Sequence, residues 1–163
     1  MLQSLQEEPV YLSRLALTNY RNFTELELEL PAGTVFILGS NAQGKSNLLE
    51  AAYLLAIGKS YRAGTDRELI NLTALQEPPS AGSGQCLITG EVTNRHSRLK
   101  VVMGLQAATE GTGGPQSHKQ VRVNGVPTTV SGLVGRINAV LFTAGDIDLV
   151  LGAPSGRRRF LDI

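Results

Sequence analysis

The sequence has almost no cysteine, since Cys86 is the single one among 163 residues. One thiol cannot form an intrachain disulfide or a cysteine-based metal cluster. Cys86 lies in an alternating apolar stretch with nothing nearby that would stabilise a thiolate, so we expect a small buried side chain and not a reactive one. This cysteine usage fits the reducing cytoplasm.

The sequence also lacks a long apolar run and an excess of charge of one sign. No apolar run approaches the roughly 18 residues that cross a membrane, and Gln6, Glu7 and Glu8 stand where a signal peptide would be basic. Lys and Arg number 15 against 14 Asp and Glu, so contact with DNA requires a local basic patch. We therefore expect a soluble cytoplasmic chain with no membrane partner.

What remains is an ordinary globular composition. Hydrophobic residues make up 42% and charged residues 18%, unlike the profile of a disordered chain. A chain of 163 residues has the size of one domain, and it contains no internal repeat and no linker. We expect residues 1–163 to form a single domain around one mixed sheet.

Several segments alternate between apolar and polar residues, as half-buried strands do. The predicted strands of this kind are Tyr11–Tyr20, Thr24–Leu30, Gln85–Thr93, Arg98–Gln106 and the arms of a hairpin around Asn124-Gly125. Asn-Gly supplies the positive φ angles of a tight hairpin turn. Two continuous apolar runs, Thr34–Leu38 and Ile137–Phe142, predict further strands, the first of them central and buried on both faces.

Apolar residues at helical spacing predict one helix from Lys45 to about Ile57, ending before Gly58. Segments rich in Pro, Gly and polar residues predict mobile loops at about 77–84 and 107–118. The remaining predicted elements are short helices at Asp66–Leu72 and Asp146–Leu151 and a terminal helix that starts near Pro154 and carries Arg157–Arg159.

Gly39-Ser40-Asn41-Ala42-Gln43-Gly44-Lys45-Ser46 stands between an apolar run and the predicted helix. In the pattern G-x-x-x-x-G-K-S, main-chain N–H groups and a helix N-terminus surround phosphates, the Lys reaches the outer phosphates and the Ser hydroxyl binds magnesium. The alternative, a glycine-rich turn with no ligand, leaves Lys45 and Ser46 without a purpose. The sequence therefore predicts an ATP site that also binds Mg²⁺.

A P-loop ATPase also needs an acid at the end of a second apolar strand to hold magnesium. No apolar run in this sequence ends in Asp-Asp or Asp-Glu. Asp146 follows Val140-Leu141-Phe142 only after a turn that contains glycine. We expect this chain to bind ATP without hydrolysing it efficiently, and we assign no catalytic residue within it.

Several segments together resemble the RecF family. They are Leu17-Thr18-Asn19-Tyr20-Arg21-Asn22-Phe23, the loop Gly39–Ser46 continuing through Asn47-Leu48-Leu49-Glu50-Ala51, the stretch Gly58-Lys59-Ser60-Tyr61-Arg62, and the C-terminal stretches Phe142–Asp146 and Gly152–Asp162. The loop alone indicates only a P-loop protein, whereas Asn-Ala-Gln inside it and the distant Arg-Arg-Arg-Phe-Leu-Asp narrow the resemblance to this family.

The resemblance implies an α/β fold of the P-loop NTPase class. In particular, it implies an ABC-type ATPase head lobe akin to the SMC proteins, with a mixed or antiparallel β-sheet around the P-loop helix. Such proteins bind ATP, form homodimers with ATP in the interface, bind DNA at gaps and junctions, and hydrolyse ATP slowly while working with RecO and RecR. The family protein is longer than this chain and carries its signature motif and acids in its second half, so the resemblance implies an N-terminal portion, incomplete at its C-terminus.

Carried over residue by residue, the resemblance implies a set of nucleotide contacts. They are Gly39, Asn41, Gly44, Lys45, Ser46 and Asn47, with Ser46 also on Mg²⁺. Asp146 would lie near the segment that replaces the Gln loop of ABC proteins. The family has Pro-Glu before this Asp where the sequence has Ala144-Gly145, so no catalytic role is carried over to it.

Three isolated basic residues in turns, Arg21, Lys59 and Arg62, are candidates for contact with DNA or phosphate, although such residues are often only solvated. The resemblance favours Arg21 and Arg62, while Arg158 lies in a run of three arginines that fan around a predicted helix, where a solvated helix end is an equal alternative. His96 and His118 have no second ligand at a metal-like spacing, so we predict no metal site at either.

Two functions remain open at this point. The first is a DNA repair ATPase that acts as a complete, nucleotide-bridged dimer, and the second is a truncated, non-catalytic nucleotide-binding or dimerisation module. A P-loop kinase or GTPase is a poorer alternative, because antiparallel strands ahead of the loop do not suit a simple parallel core.

Overall fold

Six antiparallel strands pair into one sheet in the computed structural model, which describes residues 10–76, 84–94, 96–107 and 117–147. The strands are β1 (Tyr11–Tyr20), β2 (Phe23–Glu29), β3 (Gln85–Thr93), β4 (Arg98–Ala107), β5 (Ser117–Val123) and β6 (Val126–Thr128). Their order across the sheet is β2-β1-β3-β4-β5-β6. The single sheet predicted from the sequence is confirmed, and all its described pairings are antiparallel.

The alternating pattern sets which face of each strand is buried. Leu17 pairs with Leu26 of β2 and with Ile88 of β3, and all three point to the same side. Ile88 continues to Met103 of β4, which is fully buried. The opposite face carries polar residues such as Glu27, so a register slip of one residue would bury charge.

The hairpin predicted at Asn124-Gly125 is confirmed between β5 and β6. Asn124 has φ 50° and Gly125 has φ 82°, both in the left-handed region that a two-residue hairpin turn requires. The Asn124 side chain also accepts a hydrogen bond of 2.8 Å from the Lys100 amide of β4. The turn therefore fixes the end of three neighbouring strands.

The helix α1 (Lys45–Ile57) covers the apolar face of the sheet, with the bounds that its sequence pattern predicts. Ala51, Leu54 and Leu55 are buried in the same cluster as Ile88 and Met103. Helix α1 ends at Gly58, whose amide donates to the Leu54 carbonyl at 2.7 Å. This packing holds the N-terminus of α1 at one edge of the core.

Short helical segments close the core around α1. They are a 3-10 turn at Asp66–Leu69, α2 (Leu72–Gln76), α3 (Val130–Leu133) and a 3-10 turn at Ala144–Asp146. The first confirms the helical turn predicted after residue 65, and Leu133 of α3 is fully buried. Cys86 is buried as predicted, and burial raises the pKa of its thiol to about 12.

Two strand predictions are wrong. Thr34–Leu38 and Ile137–Phe142 lie outside regular secondary structure, and no strand of the described ranges pairs with either. Phe36 is 82% exposed and Val140 is 99% exposed. An apolar run becomes a central strand only where neighbours supply hydrogen bonds on both edges, and the described part of the chain offers these segments none.

Some predictions fall on residues outside those described. They are the terminal helix from Pro154 with Arg157–Arg159, most of the loops at 77–84 and 107–118, and the end of the helix predicted at Asp146–Leu151. Among the residues that are described, the helices are all too short or too polar to cross a membrane.

Candidate functional site

The loop Gly39–Gly44 contains backbone conformations typical of an anion-binding turn. Ala42 has φ 64° and Gly44 has φ 100°, with Gln43 between them. Left-handed residues set between right-handed or extended ones turn successive N–H groups into a concave anion-binding nest. A left-handed conformation costs an alanine roughly 1–2 kcal/mol, so its presence at Ala42 points to a functional constraint on the loop.

The N-terminus of α1 adds a second source of positive potential at the loop. The first amides of a helix have no partner within the helix, and the peptide dipoles place about half a positive charge there. No acidic residue stands in the first turn of α1, and no side chain caps it. The positive end of α1 is therefore left for a ligand.

Lys45 crosses the mouth of the loop. Its ammonium donates to the carbonyls of Gly39 at 2.7 Å and Ser40 at 2.6 Å. An ammonium has three donors, so one N–H remains for a ligand in the nest. Ser46 follows on the exposed side of α1, and the Gln43 side chain accepts from the Ser40 amide at 3.0 Å and braces the loop.

The turn between β1 and β2 packs directly against the loop at Gly44. A Cβ on Gly44 would lie 2.6 Å from Cζ of Phe23 and 2.7 Å from Oδ1 of Asn22. Asn22 also donates to the Gln43 carbonyl at 3.3 Å and accepts from the Asn47 side chain at 2.6 Å. The second glycine of the motif is therefore required by this close approach as well as by its φ angle.

A buried carboxylate, Glu50, lies one turn further along α1. Its side chain is fully buried and accepts hydrogen bonds from Arg21 at 2.7 and 2.9 Å and from Arg62 at 2.8 Å. The hydroxyl groups of Tyr20 and Ser60 donate to it at 2.9 and 2.5 Å. Glu50 thus joins the β1–β2 turn, α1 and the segment that follows α1.

The charge on Glu50 is stable because of these donors. Burial alone raises the pKa of the Glu50 carboxyl, but the hydrogen bonds from Arg21, Arg62, Ser60 and Tyr20 outweigh it and lower the pKa to about 2. Burial, followed by the charge of Glu50, raises the pKa of Tyr20 above its ordinary value. Glu50 is therefore ionised and Tyr20 neutral at physiological pH.

The structure brings most of the predicted site residues together. Gly39, Asn41, Gly44, Lys45 and Ser46 form the loop and the start of α1, as the motif requires. The Asn47 side chain is engaged by Asn22 and by Arg62. The contacts of all six residues with nucleotide, and of Ser46 with Mg²⁺, stay predictions.

The arginines predicted to contact DNA lie in a different setting from the one expected. Arg21 and Arg62 are ion-paired with Glu50, and their side chains are 19% and 36% exposed. Their contact with DNA stays a prediction, and Arg158 lies outside the described residues. Sequence reasoning missed Glu50 itself, although an acid within the apolar stripe of a helix, four residues before Leu54, was the available signal.

Two further features lie outside the phosphate loop. A groove of about 830 Å³ is lined by Arg21, Asn22, Asn47 and Arg62, among other residues, and its residue Asn22 donates to the Gln43 carbonyl of the loop. Asp146 accepts from the Thr143 amide at 2.5 Å and the Thr143 hydroxyl at 2.8 Å, and these bonds lower its pKa. Asp146 therefore caps its own turn.

Within the described ranges no group of three or more His, Cys, Asp and Glu side chains could hold a metal ion.

Comparison with known proteins identifies RecF proteins among the relatives of this chain. No protein-family model matches the chain. The DNA replication and repair protein RecF of Roseiflexus castenholzii is 40% identical over 94% of this chain and 39% of its own length. RecF of Herpetosiphon aurantiacus is 36% identical over 94% of this chain and 40% of its own length. The chain thus spans about two-fifths of the relatives it matches, at their N-terminal end.

Solved structures agree with these relatives. The recombination mediator protein RecF with ATPrS, in the RecFOR pathway, matches 95% of this chain and 38% of its own with a TM-score of 0.73 and 32% identity. RecF with ATP gives a TM-score of 0.71 at 31% identity. An SMC ATPase matches 93% of this chain and 98% of its own with a TM-score of 0.69 at 19% identity, which concerns the fold alone. The predicted P-loop fold of an ABC-type ATPase head is confirmed.

Proposed function

We propose that this chain, a homologue of the N-terminal part of RecF, is the ATP-binding part of a RecF-like DNA repair protein. The observation that carries the proposal is the placement of Lys45. Its ammonium is held by two loop carbonyls across a nest that also receives the N-terminus of α1. The loop amides, the N-terminus of α1 and the Lys45 ammonium thus supply positive potential in one short segment.

The phosphates of ATP would lie in the nest, where the loop amides donate to the β-phosphate and the free N–H of Lys45 to the outer phosphates. Ser46 has the hydroxyl and the exposure that fit a magnesium ligand, because Mg²⁺ takes oxygen donors and keeps several waters. Bound Mg²⁺ would neutralise charge on the phosphates. The rest of the nucleotide would lie in the groove lined by Arg21, Asn22, Asn47 and Arg62.

We propose that ATP hydrolysis needs groups outside the described part of this chain. Asp146 is the acid that follows the last apolar run, and its carboxylate is occupied by Thr143. Efficient phosphoryl transfer needs an acid on magnesium and a group that orients water. The same observation favours the second candidate, a nucleotide-binding or dimerisation module that does not hydrolyse ATP.

The DNA, RecO, RecR and homodimer partners are further proposals for the complete protein. Their support is the similarity of this chain to RecF, whose structure with ATPrS is described as part of the RecFOR pathway. The exposed apolar runs Thr34–Leu38 and Ile137–Phe142 also support a further packing partner, since large exposed apolar patches mark interaction surfaces. A cytoplasmic location follows the same likeness.

Substitution of Lys45 tests the nucleotide site. We expect Lys45→Ala to weaken ATP binding at least about 100-fold, because a charge-assisted contact and the brace on two carbonyls are lost together. The melting temperature of the Lys45→Ala variant should stay close to that of the original chain, since the loop is exposed. Lys100→Ala, which removes an exposed lysine of β4, is the matched control and should bind ATP normally. Calorimetric titration with ATP and Mg²⁺ measures both, and undiminished affinity in Lys45→Ala refutes the proposal.

A further inference from the structure

Glu50 is the most buried charge of the described residues, and phosphate binding by the loop does not use it. Oε1 accepts from Arg21 at 2.7 Å and from Ser60 at 2.5 Å. Oε2 accepts from Tyr20, Arg21 and Arg62 at 2.9, 2.9 and 2.8 Å. A buried ion pair is weak evidence for stability, because apolar residues of similar size often stabilise a fold as well or better. The five donors on one carboxylate therefore suggest a role in fixing geometry.

A chain of hydrogen bonds leads from Glu50 to the phosphate loop. Arg62 donates through the same Nη2 to Glu50 and to the Asn47 side chain. Asn47 donates to Asn22 at 2.6 Å, and Asn22 donates to the Gln43 carbonyl at 3.3 Å. Gln43 lies between the two left-handed residues of the nest. In both Asn47 and Asn22, the side-chain oxygen accepts from the preceding residue of this series and the side-chain nitrogen donates to the following one.

We propose that Glu50 is a positioning residue of the nucleotide site, which acts through Arg62, Asn47 and Asn22 to hold the phosphate loop in its binding shape before nucleotide arrives. The inference rests on the proposed function, since it concerns the affinity of the same site. It assigns Arg62 to the support of the loop.

The physical reason is the cost of ordering the loop. Gly39–Gly44 has no regular secondary structure and contains Ala42 in the left-handed region. A loop that must adopt such a shape on binding loses affinity by the entropy and strain of doing so, whereas a loop held in that shape beforehand does not. The carboxylate is rigid because it is enclosed, so it can fix both guanidinium groups.

Two substitutions interrupt this series of hydrogen bonds at its opposite ends. Glu50→Gln keeps the shape of the side chain and removes its charge. Asn22→Ala cuts the last link at an exposed residue, so it should leave the melting temperature nearly unchanged. We expect each to lower ATP affinity roughly tenfold, the effect of losing a hydrogen bond to a charged group or its relay. The double variant should lose little more than either single one, because both interrupt one path.

The control separates positioning from stability. Val123→Ala, in a buried position at the end of β5 outside the network, lowers the melting temperature without touching the loop. All variants are titrated with ATP and Mg²⁺ well below their melting temperatures. We expect normal affinity in Val123→Ala and reduced affinity in Glu50→Gln and Asn22→Ala.

Each outcome decides between the two proposals. If the original chain binds ATP and Lys45→Ala does not, the proposed function stands, whatever Glu50→Gln does. Unchanged affinity in Asn22→Ala overturns the positioning role, as do additive losses in the double variant. Tighter binding by Glu50→Gln also overturns it, because released arginine charge and not loop geometry would then govern affinity. If Glu50→Gln does not fold, the affinity of Asn22→Ala alone decides.

Discussion

Glu50 stabilises the folded chain more when it is ionised than when it is protonated. An ordinary glutamate titrates near 4.5, and in the folded protein the hydrogen bonds of Glu50 overcome its burial and lower its pKa to about 2. A carboxyl whose pKa is lower when folded stabilises the native state at pH values above its unfolded pKa. That contribution is lost as the pH falls towards the folded pKa. The difference between 4.5 and about 2 corresponds to roughly 3 kcal/mol at neutral pH.

We therefore predict that the stability gap between the original chain and Glu50→Gln depends on pH. The gap should be constant above about pH 5 and should shrink between pH 4.5 and 2, because the protonated acid then resembles the amide. Urea unfolding of both proteins across this range measures the gap and cancels the titration of other acids, such as Glu68 and Asp146. A gap that stays constant down to pH 2 contradicts the role assigned to the charge.

Gly44 is constrained twice, by its φ of 100° and by Phe23 and Asn22, which lie 2.6 and 2.7 Å from the position that a Cβ would occupy. We predict that Gly44→Ala destabilises the chain by about 1–3 kcal/mol and abolishes ATP binding, because the β1–β2 turn must move off the loop. Gly104→Ala is the control, since a Cβ on Gly104 would have no atom within 4 Å. Urea unfolding and ATP titration of the two variants should differ, and equal behaviour shows that the turn is not packed on the loop.

Among the secondary-structure elements, those that depend on residues close in sequence were predicted correctly. The alternation in β1 and the helical spacing of α1 gave bounds within a residue or so, and the Asn-Gly turn was found where expected. Thr34–Leu38 was wrong because burial of a strand on both faces depends on distant neighbours. An apolar run indicates that a segment favours burial, but it does not show which neighbouring strands bury it.

The same distinction holds for the candidate site: its contiguous part was predicted, and its long-range part was not. The glycine and lysine spacing of the phosphate loop is contiguous, so the sequence predicted the loop and its place at the start of α1. The hydrogen bonds to Glu50 span up to 30 positions in the sequence, as in its bond with Tyr20. Only the fold brings these residues together, so single positions such as Arg21 and Arg62 read as exposed cations.

Lys119 ties β5 to the end of α1. Its ammonium donates to the Gly58 carbonyl at 2.9 Å and lies 2.6 Å from Asp66, with 13% of the side chain exposed. We predict that Lys119→Met destabilises the chain by about 1.5–3 kcal/mol, because a helix-end carbonyl and a half-buried acid lose a charged partner. Lys100→Met is the matched control, since Lys100 is 48% exposed and lies 3.8 Å from Glu91.

The control substitution should cost less than about 1 kcal/mol, as exposed ion pairs do. Urea unfolding at neutral pH compares the two. Equal losses mean that β5 does not fix the end of α1, and the segment that carries Arg62 then has one support fewer than the structure indicates.

At the scale of the whole molecule, the two apolar runs Thr34–Leu38 and Ile137–Phe142 are largely exposed, although Ile137 packs against the core. The exposed fractions are 82% for Phe36, 89% for Leu38, 99% for Val140 and 73% for Phe142. Side chains this exposed contribute little to the stability of the chain that carries them. They favour association with a surface of matching character, which in the proposed function belongs to the rest of a RecF-like protein.

We predict that the double variant Phe36→Ser and Phe142→Ser keeps the stability of the original chain within about 0.5 kcal/mol, as surface substitutions usually do. It should also self-associate less and bind less of a hydrophobic dye. Phe23→Ser is the control, because Phe23 is half-buried against the core and Gly44 and should destabilise the fold without reducing association. Urea unfolding and sedimentation velocity at several concentrations separate the two effects. A large loss of stability in the double variant would mean that these phenylalanines already pack within the chain, and the surface proposed for a partner would not exist.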